Sequence, residues 1–337
     1  MFSRDFVSKA KRQHRMLVLL VLLVVALPLL AACGTTAQGR APIKVVATLA
    51  PLADWARHVG GDHVHVTQIV PTGVDPKKYS LTDDNRRALA EMDVLLYNGL
   101  GLEPWLQQAV QAAQPSDLVA LELAQYIGST TRQRVTVRVP NRGEDGEEAG
   151  SRDVVVQPAT APSPYVWLNP GVEYAQRAVL LIGDTFSRVD PDRFLEYRRN
   201  AERYNGDLEN LDQQIRRQVR RWPRLDLGAT DRLAMQSPDL TWHYFARQYG
   251  IDLRTPGKLA TNTPVLPPST PLFVSRFTDS QTDAPSFNER QPDGVLNPLS
   301  DDDYVALMQR NVNAIQGGMR RLTRQQREPA RSLIAVP

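Results

Sequence analysis

The chain has 337 residues, 42% of them hydrophobic, with 40 basic and 37 acidic side chains and a single cysteine. A chain of this length can bury a large core without disulfides, and one cysteine cannot form an internal disulfide. Five basic residues and one acidic residue lie in the first 32 positions, which leaves 35 basic and 36 acidic residues beyond them. This near-neutral balance argues against nucleic acid as a partner.

The first 32 residues have the pattern of a lipoprotein signal peptide. A basic stretch precedes an apolar run from Met16 to Ala32, which is shorter than the ~20 residues that a membrane-spanning helix needs. The run ends in two alanines followed by Cys33, the only cysteine. We therefore predict cleavage before Cys33, acylation of Cys33 and anchoring in the lipid bilayer, with residues 33–42 as a tether. An uncleaved anchor helix with an unmodified cysteine is the alternative.

Apolar runs of strand length alternate with helical patterns after the tether. The runs are Ile43 to Leu49, Val64 to Val70, Val94 to Tyr97 and Leu118 to Leu121, and the helical patterns lie at about 51–59, 82–91 and 103–113. Strands that are apolar on both faces and alternate with helices predict an α/β fold, with a parallel sheet flanked by helices.

Residues 131–164 interrupt this alternation with mixed charges, glycines and prolines. We predict a surface loop with a hairpin formed by Arg134 to Val137 and Val154 to Val156. A metal-collecting loop is the alternative, but the segment holds no histidine. Helical spacing then returns from Val172 to Val189 and from Pro191 to Arg221, with Asp190 as the expected N-cap of the second helix.

The alternation resumes with a predicted strand from Arg232 to Met235 and a predicted helix from Leu240 to Tyr249. Residues 255–292 then contain seven prolines, which predict no helix longer than about two turns because proline removes a backbone donor. Leu272 to Val274 is the strand candidate in this interval. A strand near Val295 and a helix over about 301–322 close the chain.

Several motifs follow one another in a fixed order along the chain. They run from Lys44 to Thr48, Val70 to Pro76, Tyr97 to Leu106, Val166 to Pro170, Tyr244 to Gly250 and Tyr304 to Asn311. This series resembles the zinc and manganese substrate-binding lipoproteins of ABC transporters (the cluster A-I type) over about residues 43–320. The resemblance implies two α/β lobes with parallel sheets, one long connecting helix, and a cleft between the lobes. It suggests an N-terminal lobe at 43–171, a connecting helix at 172–189 and a reduced C-terminal lobe at 190–337.

The resemblance also implies four metal-ligand positions in the cleft, two of them histidines of the first lobe. Transferred position by position, these fall on Lys77, Tyr165, Asp239 and Asn297. Only Asp239 is a good metal ligand, because lysine is itself a cation, neutral tyrosine binds metal poorly, and an amide oxygen carries no charge. We therefore predict divergent metal-ligand positions, with zinc or manganese binding altered or lost. The carboxylate within Phe277 to Ser280 is an alternative for the fourth position.

Lys77 and Asp239 come from opposite lobes, so we predict that the lysine ammonium replaces the metal ion by pairing with this carboxylate. The alternative is that both groups face water without interacting. Four other histidines remain beyond the leader. His63 and His65 share one face of a strand and could pair as metal ligands or lie solvated. We expect His58 and His243 to cap or pack within helices.

The function that the resemblance implies is that of an exported, lipid-anchored binding protein. It would work as a monomer that delivers its substrate to an ABC permease, at the outer face of the cytoplasmic membrane or on the periplasmic or cell-surface side. A ligand-free scaffold or adhesin-like lipoprotein with the same fold is the alternative. An enzyme is the weakest interpretation, because the chain shows no Ser/His/Asp or Cys/His set and no phosphate-binding glycine loop.

Overall fold

A four-stranded parallel sheet organises the first half of the protein, as the sequence predicts. Its strands are β1 (Ile43–Ala47), β2 (Val64–Gln68), β3 (Val94–Tyr97) and β4 (Val119–Glu122), in the order β2-β1-β3-β4. The computed structural model describes residues 41–126, 135–142, 148–156, 163–171, 174–226, 231–254, 270–276, 291–300 and 303–334. The register pairs Ile43 with Val64 and Val45 with Val94.

Three helices follow the strands of this sheet: α1 (Ala50–Gly60), α2 (Asp83–Glu91) and α3 (Leu106–Ala113). Helix α1 begins with a proline in its first turn, where the missing N–H costs no hydrogen bond. Helix α2 begins with a capping box in which the Thr82 side chain accepts from Asn85 N and the Asn85 side chain accepts from Thr82 N. Helix α3 starts three residues later than predicted. Pro104 disfavours helical backbone at Glu103, whose side chain accepts hydrogen bonds inside the protein.

The central part contains a hairpin and two helices. Strands β5 (Val135–Arg142) and β6 (Glu148–Val156) pair antiparallel, which confirms the predicted hairpin. Helices α4 (Ala175–Val189) and α5 (Phe194–Val219) follow. Asp190 occupies the predicted N-cap position before Pro191, where a short 3-10 turn opens the helical stretch. Its side chain makes no capping bond, and its Oδ2 atom accepts instead from the side chains of Arg193 and Tyr197.

Two pairs of parallel strands form the second half. Strand β9 (Ala234–Gln236) pairs with β10 (Asp252–Arg254), and β11 (Phe273–Ser275) pairs with β12 (Gly294–Leu296). A parallel bridge from Gln236 to Leu272 joins the two pairs, so the connected order β10-β9-β11-β12 repeats the order of the first sheet. Strands β7 (Leu225–Asp226) and β8 (Asp231–Arg232) form a small antiparallel pair before it.

Helices α6 (His243–Tyr249) and α7 (Tyr304–Ile334) complete the second half. The prediction for 255–292 is tested only in part, since 255–269 and 277–290 lie outside the described residues. Within the described parts of the chain, no helix combines the length and apolar character needed to cross a membrane.

Helix α5 makes hydrogen bonds to both halves. Tyr204 OH donates to Asp54 Oδ2 on α1 over 2.9 Å, and Tyr249 OH on α6 donates to Asp212 Oδ1 over 2.9 Å. We therefore propose α5 for the connecting role that the resemblance assigns to 172–189. The lobe boundaries themselves stay a prediction.

Candidate metal site

Lys77 lies in the loop after β2, at the edge of the first sheet where the parallel strands end. The loop forms a short 3-10 turn, in which Asp75 Oδ1 accepts from Lys77 N over 3.0 Å. The carbonyl of Pro76 accepts from Trp105 Nε1 over 2.9 Å, which ties the turn to the segment before α3. These bonds hold the backbone of the turn while the Lys77 side chain is exposed.

Tyr165 contacts Lys77 across this edge. The Lys77 Nζ atom lies 6.0 Å from the centre of the Tyr165 ring, the outer range for a cation–π contact. Tyr165 is buried and packs edge-to-face against Trp167 at 5.4 Å. Burial raises the pKa of the Tyr165 phenol well above its ordinary value, and the nearby charges of Asp75 and Asp239 raise it further. The phenol is therefore protonated at neutral pH.

Asp239 follows β9 in the second half and is exposed. Its Oδ1 atom accepts from Thr241 N over 2.8 Å, a local turn just before α6. The charge of Asp239 contributes to the raised pKa of Tyr165, so Asp239 of the second half lies close enough to Tyr165 of the first half to act on it electrostatically.

Asn297 follows β12 and has a structural role in its surroundings. Its Oδ1 atom accepts from Leu299 N over 3.0 Å, while its own backbone N–H and carbonyl bond to the Asn311 side chain at 2.7 Å each. The next residue connects to the first-half positions, because Pro298 O accepts from Trp167 Nε1 over 2.9 Å. The structure thus links the segment of Asn297 to Tyr165 through Trp167.

The predicted pairing of Lys77 with Asp239 is not made as a direct ion pair in the described part of the structure. Among the described side chains, the ion pairs do not include a contact between these two residues. The Asp239 carboxylate is turned to its own backbone at Thr241, and the Lys77 ammonium stands over an aromatic ring. Within the same described ranges, no group of three or more histidine, cysteine, aspartate or glutamate side chains could hold a metal ion.

Sequence reasoning gave no role to two carboxylates at this edge of the sheet. Asp75 lies beside Tyr165 and holds the Lys77 turn. Glu103 is buried, and it accepts from Thr48 Oγ1 at 2.7 Å, Asn98 N at 2.9 Å and Gly99 N at 3.1 Å. Both residues lie inside motifs that carry the family resemblance, so their acidic character within those motifs is the sequence feature that could have identified them.

The histidines make contacts within the fold. His63 Nε2 lies 2.6 Å from Glu196 Oε2, and His58 stacks on Tyr204 at 4.1 Å beside Asp54. His65 is exposed on β2. Burial lowers the pKa of His243, with a further contribution from the positive charge of Arg247.

A family model for the periplasmic component A of zinc-uptake complexes (ZnuA) matches residues 45–291. The manganese-binding lipoprotein MntA of Halalkalibacterium halodurans is 29% identical over 236 residues, which cover 69% of this chain and 67% of the relative. A putative metal-binding protein of Treponema pallidum is 30% identical over 174 residues, about half of each chain. The manganese ABC transporter substrate-binding lipoprotein scaA of Streptococcus gordonii is 25% identical over 334 residues, covering 89% of this chain and 97% of scaA.

Solved structures show the same fold. The periplasmic zinc-binding protein TroA from Treponema pallidum superposes with a TM-score of 0.59 at 19% identity, over 83% of this chain and 99% of TroA. A zinc-bound deletion mutant of ZnuA gives 0.58 at 20% identity, over 82% and 98%. The likeness shows the two-lobe α/β fold, and the family and its lipoprotein relatives place this chain outside the cytoplasm. By its match to the family model over most of its length, the chain belongs to the family of zinc-uptake complex component A.

Proposed function

We propose that this protein is the extracytoplasmic, lipid-anchored substrate-binding component of a metal-type ABC transporter, and that its metal binding is altered or lost. The contact of Lys77 with Tyr165 carries the second part of the proposal. Both residues stand where the family resemblance expects imidazole ligands. The first is a fixed cation and the second is a protonated phenol, so neither supplies the nitrogen donor that zinc prefers.

The oxygen donors near Tyr165 favour a different class of ion. Asp75 and Asp239 each accept one backbone N–H through Oδ1, and both bring negative charge to Tyr165. Carboxylates without imidazole suit oxygen-preferring divalent ions such as manganese better than zinc. The positive charge of Lys77 weakens any such site. We infer that a bound divalent ion would be held weakly, and with manganese favoured over zinc.

The proposed lipid anchor rests on the leader sequence and on the lipoprotein relatives, and the proposed permease partner rests on the family. Cys33 stands behind a signal-peptide pattern, and the manganese-binding relatives are lipoproteins. We propose that Cys33 carries the lipid and that a monomer delivers its substrate to a membrane permease. A ligand-free scaffold lipoprotein remains the competing function, and the loss of both predicted histidine positions is the observation that favours it.

Elemental analysis and calorimetry of the mature chain with Cys33→Ser test the metal part of the proposal. We expect less than one equivalent of zinc after purification and weak binding of added zinc. The double variant Lys77→His with Tyr165→His should gain zinc affinity by about 100-fold, because it supplies two imidazole donors at the positions where the family resemblance expects them.

Lys78→His is the matched control, since Lys78 is exposed in the same turn but lies one position from the transferred ligand site. It should leave zinc affinity unchanged. Tight stoichiometric zinc in the unaltered protein would contradict altered binding. Absence of metal binding in both the unaltered protein and the double variant would favour the scaffold.

A further inference from the structure

An exposed apolar pair stands at the start of α5. Phe194 is 48% exposed and Leu195 is 59% exposed. Among the described residues, the other large hydrophobic side chains that are similarly exposed are Leu180 and Val295, each without such an adjacent exposed partner. Two adjacent apolar side chains turned to water are a candidate contact surface, and we name them the Phe194–Leu195 patch.

The patch lies near the edge of the first sheet where the strands begin. Glu196, in the same helical turn, bonds to His63 over 2.6 Å, and Asn200 Nδ2 donates to Val59 O over 3.0 Å. His63 directly precedes β2, and the first residue of β2, Val64, pairs with Ile43 at the start of β1. The beginning of α5 is therefore fastened beside the point where the chain from Cys33 enters the sheet.

The length of the preceding segment limits how far this edge can be from a membrane. Nine residues lie between Cys33 and Ile43, and the ten residue steps of this segment span about 35 Å at most when fully extended. We propose that the Phe194–Leu195 patch docks on the surface of the lipid bilayer to which Cys33 is attached. This inference rests on the lipid anchor of the proposed function.

The charges around the patch indicate which force holds the contact. The segment from 188 to 202 contains four arginines and four carboxylates, so it has no excess of positive charge to attract anionic lipid headgroups. Insertion of the two apolar side chains into the interface provides the attraction instead. Two side chains alone bind weakly, but the tether keeps them at a high effective concentration near the bilayer.

The docked orientation has a consequence for the cleft. Lys77 follows the carboxyl end of β2, at the opposite edge of the sheet from Ile43 and Val64. With the patch on the bilayer, the edge that carries Lys77 faces away from the membrane. The anchored protein would collect its substrate in this pose and release the patch in order to meet a permease.

Site-specific labelling tests the contact, because the mature chain with Cys33→Ser has no other cysteine. A hexahistidine tag placed before residue 33 tethers this chain to phosphatidylcholine vesicles that contain a nickel-chelating lipid. An environment-sensitive fluorophore is attached to Leu195→Cys or to the matched control Val295→Cys, whose native side chain is 42% exposed on β12. When vesicles are added, we expect the fluorescence intensity at position 195 to increase about two-fold or more and the emission to shift to the blue. The fluorescence at position 295 should not change.

A second pair of variants shows whether the native side chains insert. A fluorophore on Asp192→Cys should respond to the vesicles, and Phe194→Ser with Leu195→Ser should abolish the response. The signal should persist at about 0.5 M salt, where surface charge attraction is screened.

Several results would overturn the proposal. One is an equal fluorescence change at positions 195 and 295. Another is a fluorescence change that depends on protein concentration in the absence of vesicles, which would indicate contact with a second copy of the chain. The third is a fluorescence change that requires a permease in the vesicles. The nickel tether replaces the natural lipid, so failure of lipidation at Cys33 is a separate result from failure of the patch to dock.

Discussion

Glu103 places a carboxyl group inside the first half of the protein, behind the edge of the sheet that carries Lys77. Burial raises the pKa of Glu103 to about 7, although hydrogen bonds from Thr48, Asn98 and Gly99 favour its charged form. The turn around it depends on glycine, because Gly99 has a φ of +84° and an added Cβ there would collide with the Glu122 carboxylate. One buried acid thus connects the ends of β1 and β3.

The raised pKa of Glu103 predicts a pH-dependent stability. Between about pH 4.5 and pH 7 the folded state keeps a proton on Glu103 that the unfolded state releases, so the free energy of unfolding falls as pH rises through this window. The loss is about 3 kcal/mol for a shift of this size. Glu103→Gln should flatten the profile of melting temperature against pH in this window.

Glu209→Gln, at an exposed position of α5, is the control and should keep the profile of the unaltered protein. A Glu103→Gln profile as steep as that of the unaltered protein would rule out Glu103 as its cause.

His58 predicts a second pH effect at the scale of one residue. The hydrogen bond with Asp54 raises the pKa of His58 above 6.5, against an opposing effect of burial. The stability that this interaction contributes is therefore fully present at pH values below the pKa of His58 in the unfolded chain. It is lost as pH rises through the pKa of His58 in the folded protein. Because His58 is half-exposed, we expect less than about 1 kcal/mol. His58→Gln should lower the melting temperature more at about pH 5.5 than at pH 8.5, and an equal effect at both would contradict the assignment.

Three helices meet at the side chain of Asp54. Its Oδ2 atom accepts from Tyr204 OH on α5 at 2.9 Å and from Tyr304 N at the start of α7 at 3.1 Å. The carboxylate also stands at the N-terminus of α7, where a negative charge is favourable. Asp54 therefore joins a helix of the first sheet to the helix that closes the chain.

Removing this carboxylate should destabilise the protein. Asp54→Ala leaves the buried Tyr204 hydroxyl and the first N–H of α7 without their acceptor, and we expect a loss of about 2–3 kcal/mol in the free energy of unfolding. Denaturant unfolding of the soluble mature chain measures it. Asp84→Ala is the matched control, because Asp84 also lies in the first turn of a helix but is exposed; it should cost about 0.5 kcal/mol or less. Equal losses for the two variants would refute the role of Asp54.

The elements differ in how well the sequence predicts them. The central strands β1 and β3 follow from apolar runs, and β3 is buried at every position. Strand β2 lies at the edge of the sheet and is only partly buried. Asp190 stands at the predicted N-cap position, but its side chain bonds to Arg193 and Tyr197 instead of to the backbone of the helix, which the Asp-Pro pattern does not reveal. Lys77 and Asp239 make no direct ion pair in the described part of the structure, where a backbone bond from Thr241 holds one oxygen of the Asp239 carboxylate in its own turn.

At the scale of the whole molecule, contacts between the halves surround the candidate site. Trp167 donates through Nε1 to Pro298 O over 2.9 Å, and its own carbonyl accepts from Tyr304 OH at 2.5 Å. Trp55 of α1 packs edge-to-face on Tyr304 at 5.0 Å. Trp167 lies two residues from Tyr165 and Pro298 directly follows Asn297, so buried contacts between the halves hold the backbone at these two transferred positions. Lys77 and Asp239 are exposed and are held by their own turns.

The last prediction concerns the attachment of this molecule to the membrane. Acyl chains on Cys33 would contribute about 0.8 kcal/mol per buried methylene, which is enough for stable anchoring when more than one chain is attached. Cys33→Ser removes the acceptor, but an uncleaved leader with its apolar run from Met16 to Ala32 could itself retain the protein at the membrane. The comparison is therefore made behind a leader that is cleaved independently of the cysteine. In that background we expect the Cys33→Ser protein in the soluble fraction after cell fractionation, and the Phe194–Leu195 patch alone to be too weak to hold it. Mass analysis of the protein with Cys33 should show the added lipid. Membrane sedimentation of the cleaved Cys33→Ser protein to the same extent as the Cys33 protein would show that the anchor lies elsewhere.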